Sequence, residues 1–296
     1  MSGDTHSTTL TADGRTLAWC EYGDPAAPPV LLFHGTPGSR LDRDPFDRPA
    51  VARVIAPDRP GYGHSSPQPG RRLTDWPADV LTIADALGLD TFSVVGISGG
   101  GPHALVCAAV LPADRLIRVG TICGLGPNDW PGVTEGMQPM NVMFNELALS
   151  DPAQVLAIGD AMADGLRADA AAFVAGTGAD LPDVDRALMQ NPAVQAMMVA
   201  SMTEAVRQGG RAFAEEMIMF AHPWGFELSS IRVPVLLWHG TDDRNVPVSH
   251  ARHIAEQVPT ARLRILEGEG HMTLAMQHSS DFLVALLGDA ADGSPD

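Results

Sequence analysis

Lysine is missing from this 296-residue chain: all 19 of its basic residues are arginine. That absence excludes a Schiff-base or PLP lysine, a Ser–Lys dyad and a P-loop lysine, each of which needs the ε-amine. Cysteine is scarce as well. Cys20, Cys107 and Cys123 are scattered and odd in number, giving neither a disulfide framework nor a zinc-ligand pattern. Positive charge is outweighed: the formal net charge of −17 argues against nucleic acid as a partner, because phosphate contacts need clustered cations. No apolar run approaches the roughly 20 residues that span a bilayer. The opening MSGDTHSTTLTADGR is polar, without the basic and apolar pattern of a signal peptide. The expectation is a cytoplasmic protein in a reduced compartment, with no membrane partner.

What is present is a sizeable core in alternating elements. The hydrophobic content of 45% is ample, and apolar runs alternate with helical patterns, which predicts an α/β protein with a mostly parallel sheet and helices on both faces. THSTTLTADG and RTLAWCEYGD read as an opening hairpin turning at Asp13-Gly14. PPVLLFHG, ARVIAPD, FSVVGIS, IRVGTICG, VPVLLWHG and ARLRILEGEGH read as further strands. Val80, Ile83, Ala84 and Leu87 share one helical face, with Thr74 or Asp75 as cap. SHARHIAEQVP reads as a helix, TLAMQHSSDFLVALLG as one last helix, and DAADGSPD as a disordered tail. From about Gly126 to His222 the chain reads as helices broken by Pro and Gly. This divides it into a core, 1–125 and 223–296, and a helical cap, 126–222.

The chemistry concentrates at Val94 to Gly100, VVGISGG, followed at once by the helical stretch GGPHALVCAAVL. Gly-x-Ser-x-Gly between a strand and a helix is the layout of a nucleophile elbow, with glycines where a Cβ would strike neighbouring backbone. A serine hydroxyl needs a base to take its proton and a third group to orient that base. LWHGTDDRNVP puts Asp242 and Asp243 just past a strand, and LEGEGHMTL puts His271 in a glycine-flanked loop after the last one. The order Ser, Asp, His suits the architecture. HGTPG (His34 to Gly38) can supply an oxyanion loop, with the N–H groups of Thr36 and Gly99 as donors. VVGISGGG fails as a dinucleotide turn, since Ser98 stands where the second glycine belongs and no ribose-binding acid follows.

HGTPG, DRPGYGHS, GISGG, GTDDRNVP and GEGH, in this order and spacing, resemble the α/β-hydrolase family over roughly Thr9 to Leu287. The resemblance implies the α/β-hydrolase fold, with the helical cap inserted between strands 6 and 7. It implies Ser98 as nucleophile, Asp243 rather than Asp242 as acid, and His271 as base. Asp129, in GPNDW, is the alternative acid that some relatives would use. Two departures stand out: glycine follows Ser98 where many relatives carry a bulkier residue, and Gly101 adds a third glycine, so a looser elbow is expected. HGTPG is also similar to the oxyanion loop of proline iminopeptidases.

Other residues receive blander expectations. His278 and His250 are weak rivals to His271, while His34 and His239 are expected to brace loop backbone. Asp58 and Arg59 read as a loop-bracing pair, and Glu204, Glu215 and Glu216 as solvated helix faces. Ten of the 13 methionines fall between 126 and 222, which suggests an adaptable apolar roof. His34, Met137, Met140, Met143 and Met202 are the pocket candidates. The expected activity is hydrolysis of a small to medium, largely apolar carboxylic ester through an acyl-enzyme, with a small-molecule substrate, no cofactor and no metal. The alternatives are a proline iminopeptidase-like aminopeptidase, or thioester, lactone, carbon–carbon or acyl-transfer chemistry on the same residues. A ligand receptor that has kept the fold is the reading of another class. The sequence leaves the oligomeric state open.

Overall fold

In the computed structural model, which describes residues 6–43, 51–177 and 181–288, the chain opens with the expected hairpin. β1 (Ser7–Leu10) and β2 (Thr16–Tyr22) pair antiparallel, and Gly14 in the turn adopts φ +85°, a region that costs glycine little. β3 (Pro29–Phe33) and β4 (Arg53–Pro57) follow. Then come α1 (Trp76–Ala86), β5 (Phe92–Ile97), α2 (Gly100–Val110) and β6 (Leu116–Ile122).

Among the described residues, five α-helices fall between β6 and the next strand: α3 (Pro139–Ser150), α4 (Pro152–Gly176), α5 (Asp183–Leu188), α6 (Pro192–Ala205) and α7 (Arg211–Ala221). β7 (Val235–Gly240), α8 (Val248–Gln257), β8 (Ala261–Leu266), α9 (His271–Gln277) and α10 (Ser279–Leu287) complete the order.

The eight strands form one sheet in the order β1-β2-β4-β3-β5-β6-β7-β8. β2 meets β4 antiparallel, and every pair from β4 to β8 is parallel. Helices cover both faces, which is why the central strands are apolar on both sides. Alternation along β5 shows the division: Val94 packs into the cluster with Val80 of α1 and Leu105 of α2, and Val95 into the one with Phe282 and Leu286 of α10. Gly120 in β6 lets the Phe282 ring close on the sheet, since a Cβ there would come within 2.5 Å of its Cζ.

Two local readings are corrected. Asp75 precedes α1, but its side chain accepts from the Arg72 N–H within a short 3-10 turn and leaves the helix N-terminus uncapped by a side chain. The last helix is two, α9 and α10, divided at His278. The tail DAADGSPD lies outside the described residues.

Candidate active site

The turn between β5 and α2 holds Ser98 at φ +54°. A non-glycine residue there carries strain of roughly 1–3 kcal/mol, sustained only because the surroundings over-determine it. They do. A Cβ on Gly96 would strike the Gly100 carbonyl, and one on Gly100 the Phe33 carbonyl of β3. A Cβ on Gly101 would come within 2.8 Å of the Gly124 Cα. The third glycine therefore fits a crowded contact with the chain after β6, and the elbow is tight where looseness was expected. Ser98 N–H donates to the Ile122 carbonyl at 3.0 Å, and its own carbonyl accepts from Gly101 and Leu125.

Asp243, in the turn after β7, is 4% exposed. One carboxylate oxygen, Oδ1, accepts from the Asn245 N–H at 2.9 Å and the Val246 N–H at 2.8 Å. The other, Oδ2, lies 2.7 Å from His271 Nδ1 at the start of α9. Burial opposes the carboxylate charge, but His271 and His239 more than offset it and hold Asp243 well below the ordinary carboxylate range. Burial likewise opposes a charged His271, and Asp243 outweighs it, so the imidazole binds a proton more tightly than usual. With Asp243 ionised, Nδ1 carries the proton it donates, and Nε2 is the ring's acceptor.

The remaining acids and histidines sort cleanly. Asp242 is exposed and accepts from the Thr241 hydroxyl, and Asp129 is exposed as well. His278 Nε2 pairs with Glu269 at 3.0 Å. His250 lies between the Gly126 N–H and the Val133 carbonyl. His239 braces backbone as expected, its Nε2 facing the Val246 carbonyl at 2.7 Å, and it also approaches Asp243 Oδ2 at 3.3 Å.

Thr36 and Gly99 meet across the two loops: a Cβ on Gly99 would strike the Thr36 side chain, lying 2.7 Å from its Cβ. The glycine after Ser98 is thus matched to Thr36. Among the described residues, neither backbone N–H donates to a protein acceptor. The Thr36 hydroxyl donates to Glu216 Oε2 at 2.7 Å and accepts from Arg59 at 2.9 Å.

Here the expectation for the acids is overturned. Glu216, on α7, is wholly buried and gripped by Arg59 from two nitrogens at 2.6 and 2.7 Å, by Arg71 at 2.5 Å, and by the Tyr62 hydroxyl at 2.9 Å. Burial works against its charge, yet Arg59 and Arg71 keep it ionised well below the usual range. Glu204 on α6 is buried too, paired with Arg40 and Arg207. Only Glu215 behaves as a surface residue, bonded to Arg211 one turn away. A helix-face pattern misled because α6 and α7 present these acids inward, to arginines supplied by distant loops. Nor do Asp58 and Arg59 pair with each other. Asp58 binds Arg40, and Arg59 binds Glu216 while donating to the His34 carbonyl at 2.5 Å.

A cavity of about 940 Å³ opens on Ser98, Gly99, Thr36 and His271. Met137, Met140 and Met202 line it; so do Met272 and Met276 of α9, which composition had not singled out. Met143 is 40% exposed and outside the lining. Its position on α3 points it to solvent instead. His34 is also outside the lining, buried with its ring nitrogens at the Gly35 carbonyl and the Arg59 N–H. Uncharged polar side chains also contribute to the lining. Asn128 and Asn145 bond each other at 2.7 Å, and Asn245 Oδ1 is buried without a partner among the described residues.

The single group of possible metal ligands among the described residues is Cys123, His239 and Asp243, within 4.8 Å of one another. Burial pushes the Cys123 thiol well up, so it stays protonated, and Asp243 is already taken by His271. The cluster belongs to the support of His271.

A buried acid–imidazole pair and a strained serine around one apolar cavity, on this sheet, define a hydrolase-type site. The chain belongs to the alpha/beta hydrolase family, whose profile matches residues 30–286. It is 28% identical over 290 residues to the non-heme chloroperoxidase of Streptomyces lividans, covering 90% of this chain and 94% of that one. It is 25% identical to the 2-hydroxy-6-oxononadienedioate/2-hydroxy-6-oxononatrienedioate hydrolase 1 of Dechloromonas aromatica, covering 86% and 83%. In fold it resembles a hydrolase from Pseudomonas aeruginosa PA01, with a TM-score of 0.70, 23% identity, and 98% and 100% of the chains covered. Its relatives are enzymes, and this chain is one too. Among its described residues no helix is long and apolar enough to cross a membrane.

Proposed function

We propose that this hydrolase cleaves a largely apolar carboxylic ester through an acyl-enzyme on Ser98, His271 and Asp243. The observation that carries the reading is that Ser98, strained on its turn, and His271, 2.7 Å from Asp243, border one methionine-lined cavity. His271 Nε2 takes the Ser98 proton as Oγ attacks the carbonyl, and the Asp243 carboxylate stabilises the imidazolium. The Thr36 and Gly99 amides receive the charge that develops on oxygen. His271 then protonates the leaving alcohol and activates the water that frees the acid.

Residues 126–222 act as the cap in this reading, contributing Met137, Met140 and Met202 to the wall. At about 940 Å³ the cavity stands at the upper end of ligand sites, which favours the medium end of the expected small-to-medium range of esters. An aminopeptidase would need a carboxylate open to the substrate's ammonium group, and Glu204 and Glu216 are already taken by arginines. Carbon–carbon cleavage is the second reading, favoured by the likeness to the Dechloromonas aromatica hydrolase. Three buried cysteines outside any disulfide fit residence in a reducing cytoplasm.

The test is p-nitrophenyl ester turnover across acyl lengths. A burst of p-nitrophenol, lost in Ser98→Ala, with fluorophosphonate labelling of Ser98, is the expected result. Undiminished turnover in Ser98→Ala would overturn the reading.

A further inference from the structure

α9 begins at His271, and the first amides of any helix lack acceptors inside it. Here they are met from far away in the chain. Asp185, on α5 and wholly buried, accepts from the His271 N–H at 2.9 Å through Oδ2. Its Oδ1 accepts from Met272 at 3.0 Å and from Thr273 at 2.9 Å. Three consecutive amides thus converge on one carboxylate 86 to 88 positions earlier. Gly270 makes the approach possible, since a Cβ there would lie 2.5 Å from the Asp185 Cγ.

We propose that Asp185 is a positioning residue for catalysis: from the inserted helices it fixes the backbone that carries His271 and adds negative charge beside the imidazole. The inference rests on His271 as the base. It makes the inserted helices part of the active-site frame, because α5 cannot shift without releasing the start of α9.

The groups that bear on His271 come from every side. Asp243 binds Nδ1, and His239 of β7 reaches it only through Asp243, at 3.3 Å. Cys123, after β6, directs its thiol to the His271 carbonyl at 3.6 Å. Farther out, His278 sits between Glu269 and Asp281. Burial lowers the imidazole's proton affinity, and Asp243 first and Asp185 second raise it.

Three measurements on the full chain test this. In the wild type, the His271, Met272 and Thr273 amides should exchange slowly with solvent; rapid exchange would overturn the proposal. In Asp185→Asn, the imidazole of His271, followed by NMR, should titrate at lower pH, and kcat should fall roughly 10- to 100-fold while KM changes little. A folded variant with unchanged titration and kcat would also overturn it. Should Asp185→Asn fail to fold, Gly270→Ala, which displaces the carboxylate, decides by the same titration. The NMR readout does not use turnover. Loss of the Ser98 reading would therefore appear in the Ser98→Ala assay, and loss of this inference in the amide exchange or the titration.

Discussion

Asp243 and His271 stand 28 positions apart, and the 2.7 Å contact between them joins the turn after β7 to the first residue of α9. Asp243 has no other freedom: its second oxygen is fixed by the Asn245 and Val246 amides. A carboxylate so held sets which imidazole nitrogen carries the proton. Asp243→Asn should leave the fold intact and lower kcat by about 10⁴-fold, the scale seen when a triad acid is neutralised. Steady-state ester hydrolysis, with circular dichroism as the control for folding, checks it.

The pH dependence has a definite sign. The proposed mechanism requires neutral His271, whose proton affinity is raised by Asp243 against the effect of burial. kcat/KM should therefore rise with pH through a midpoint above the ordinary histidine value of 6.5. Stability runs the other way for this group. Its contribution is complete below the unfolded-state value and is lost as pH climbs through the higher folded one. Asp243, depressed in the fold, contributes above its unfolded value of 3.8 and loses that contribution as pH falls through the folded one. A kcat/KM profile and denaturant midpoints across pH separate the two.

Gly99→Ala should slow the chemical step. The new Cβ would collide with the Thr36 side chain and displace one or both proposed oxyanion donors. Loss of one donor costs on the order of 10²- to 10³-fold in kcat, with little change in KM. Single-turnover rates on a p-nitrophenyl ester would show it.

Glu216→Gln should destabilise the protein by about 3–5 kcal/mol, because Arg59 would remain buried beside a neutral partner. Thr36→Val removes only a hydroxyl from the same cluster and should cost about 1–3 kcal/mol. Urea unfolding of both variants gives the comparison; equal losses would contradict the account.

Met202→Trp should narrow the cavity from the α6 side. Turnover of long-chain or bulky esters should fall, while short-chain esters retain most of theirs. A chain-length series of p-nitrophenyl esters reads the shift directly.

Local chemistry made much of this protein legible before folding was considered. Apolar runs bounded by turns marked the strands, and Gly-x-Ser-x-Gly, set between a strand and a helical stretch and followed downstream by an acid and a histidine, marked the elbow. Gly14 at the hairpin and Gly96 and Gly100 beside Ser98 announced their backbone demands through residue type, whereas Gly99 and Gly101 suggested a loose elbow and instead fit close contacts with Thr36 and Gly124. Met143, Glu204 and Glu216 were harder, because periodicity shows that a helix has faces without showing what each face meets. The one last helix failed similarly, since nothing in the residues around His278 forbids continuation.

The sequence by itself determined the alternation of strands and helices, the place of the turn at Ser98 and the order of serine, acid and imidazole, all of which are read from residue type and spacing along the chain. Only the tertiary structure decided what Glu216 and Asp185 do. Each carboxylate is buried on an inserted helix, and a buried charge persists only where distant donors converge on it: Arg59 and Arg71 for one, the amides of His271 to Thr273 for the other. That convergence depends on how the helices pack, which no local run of residues encodes.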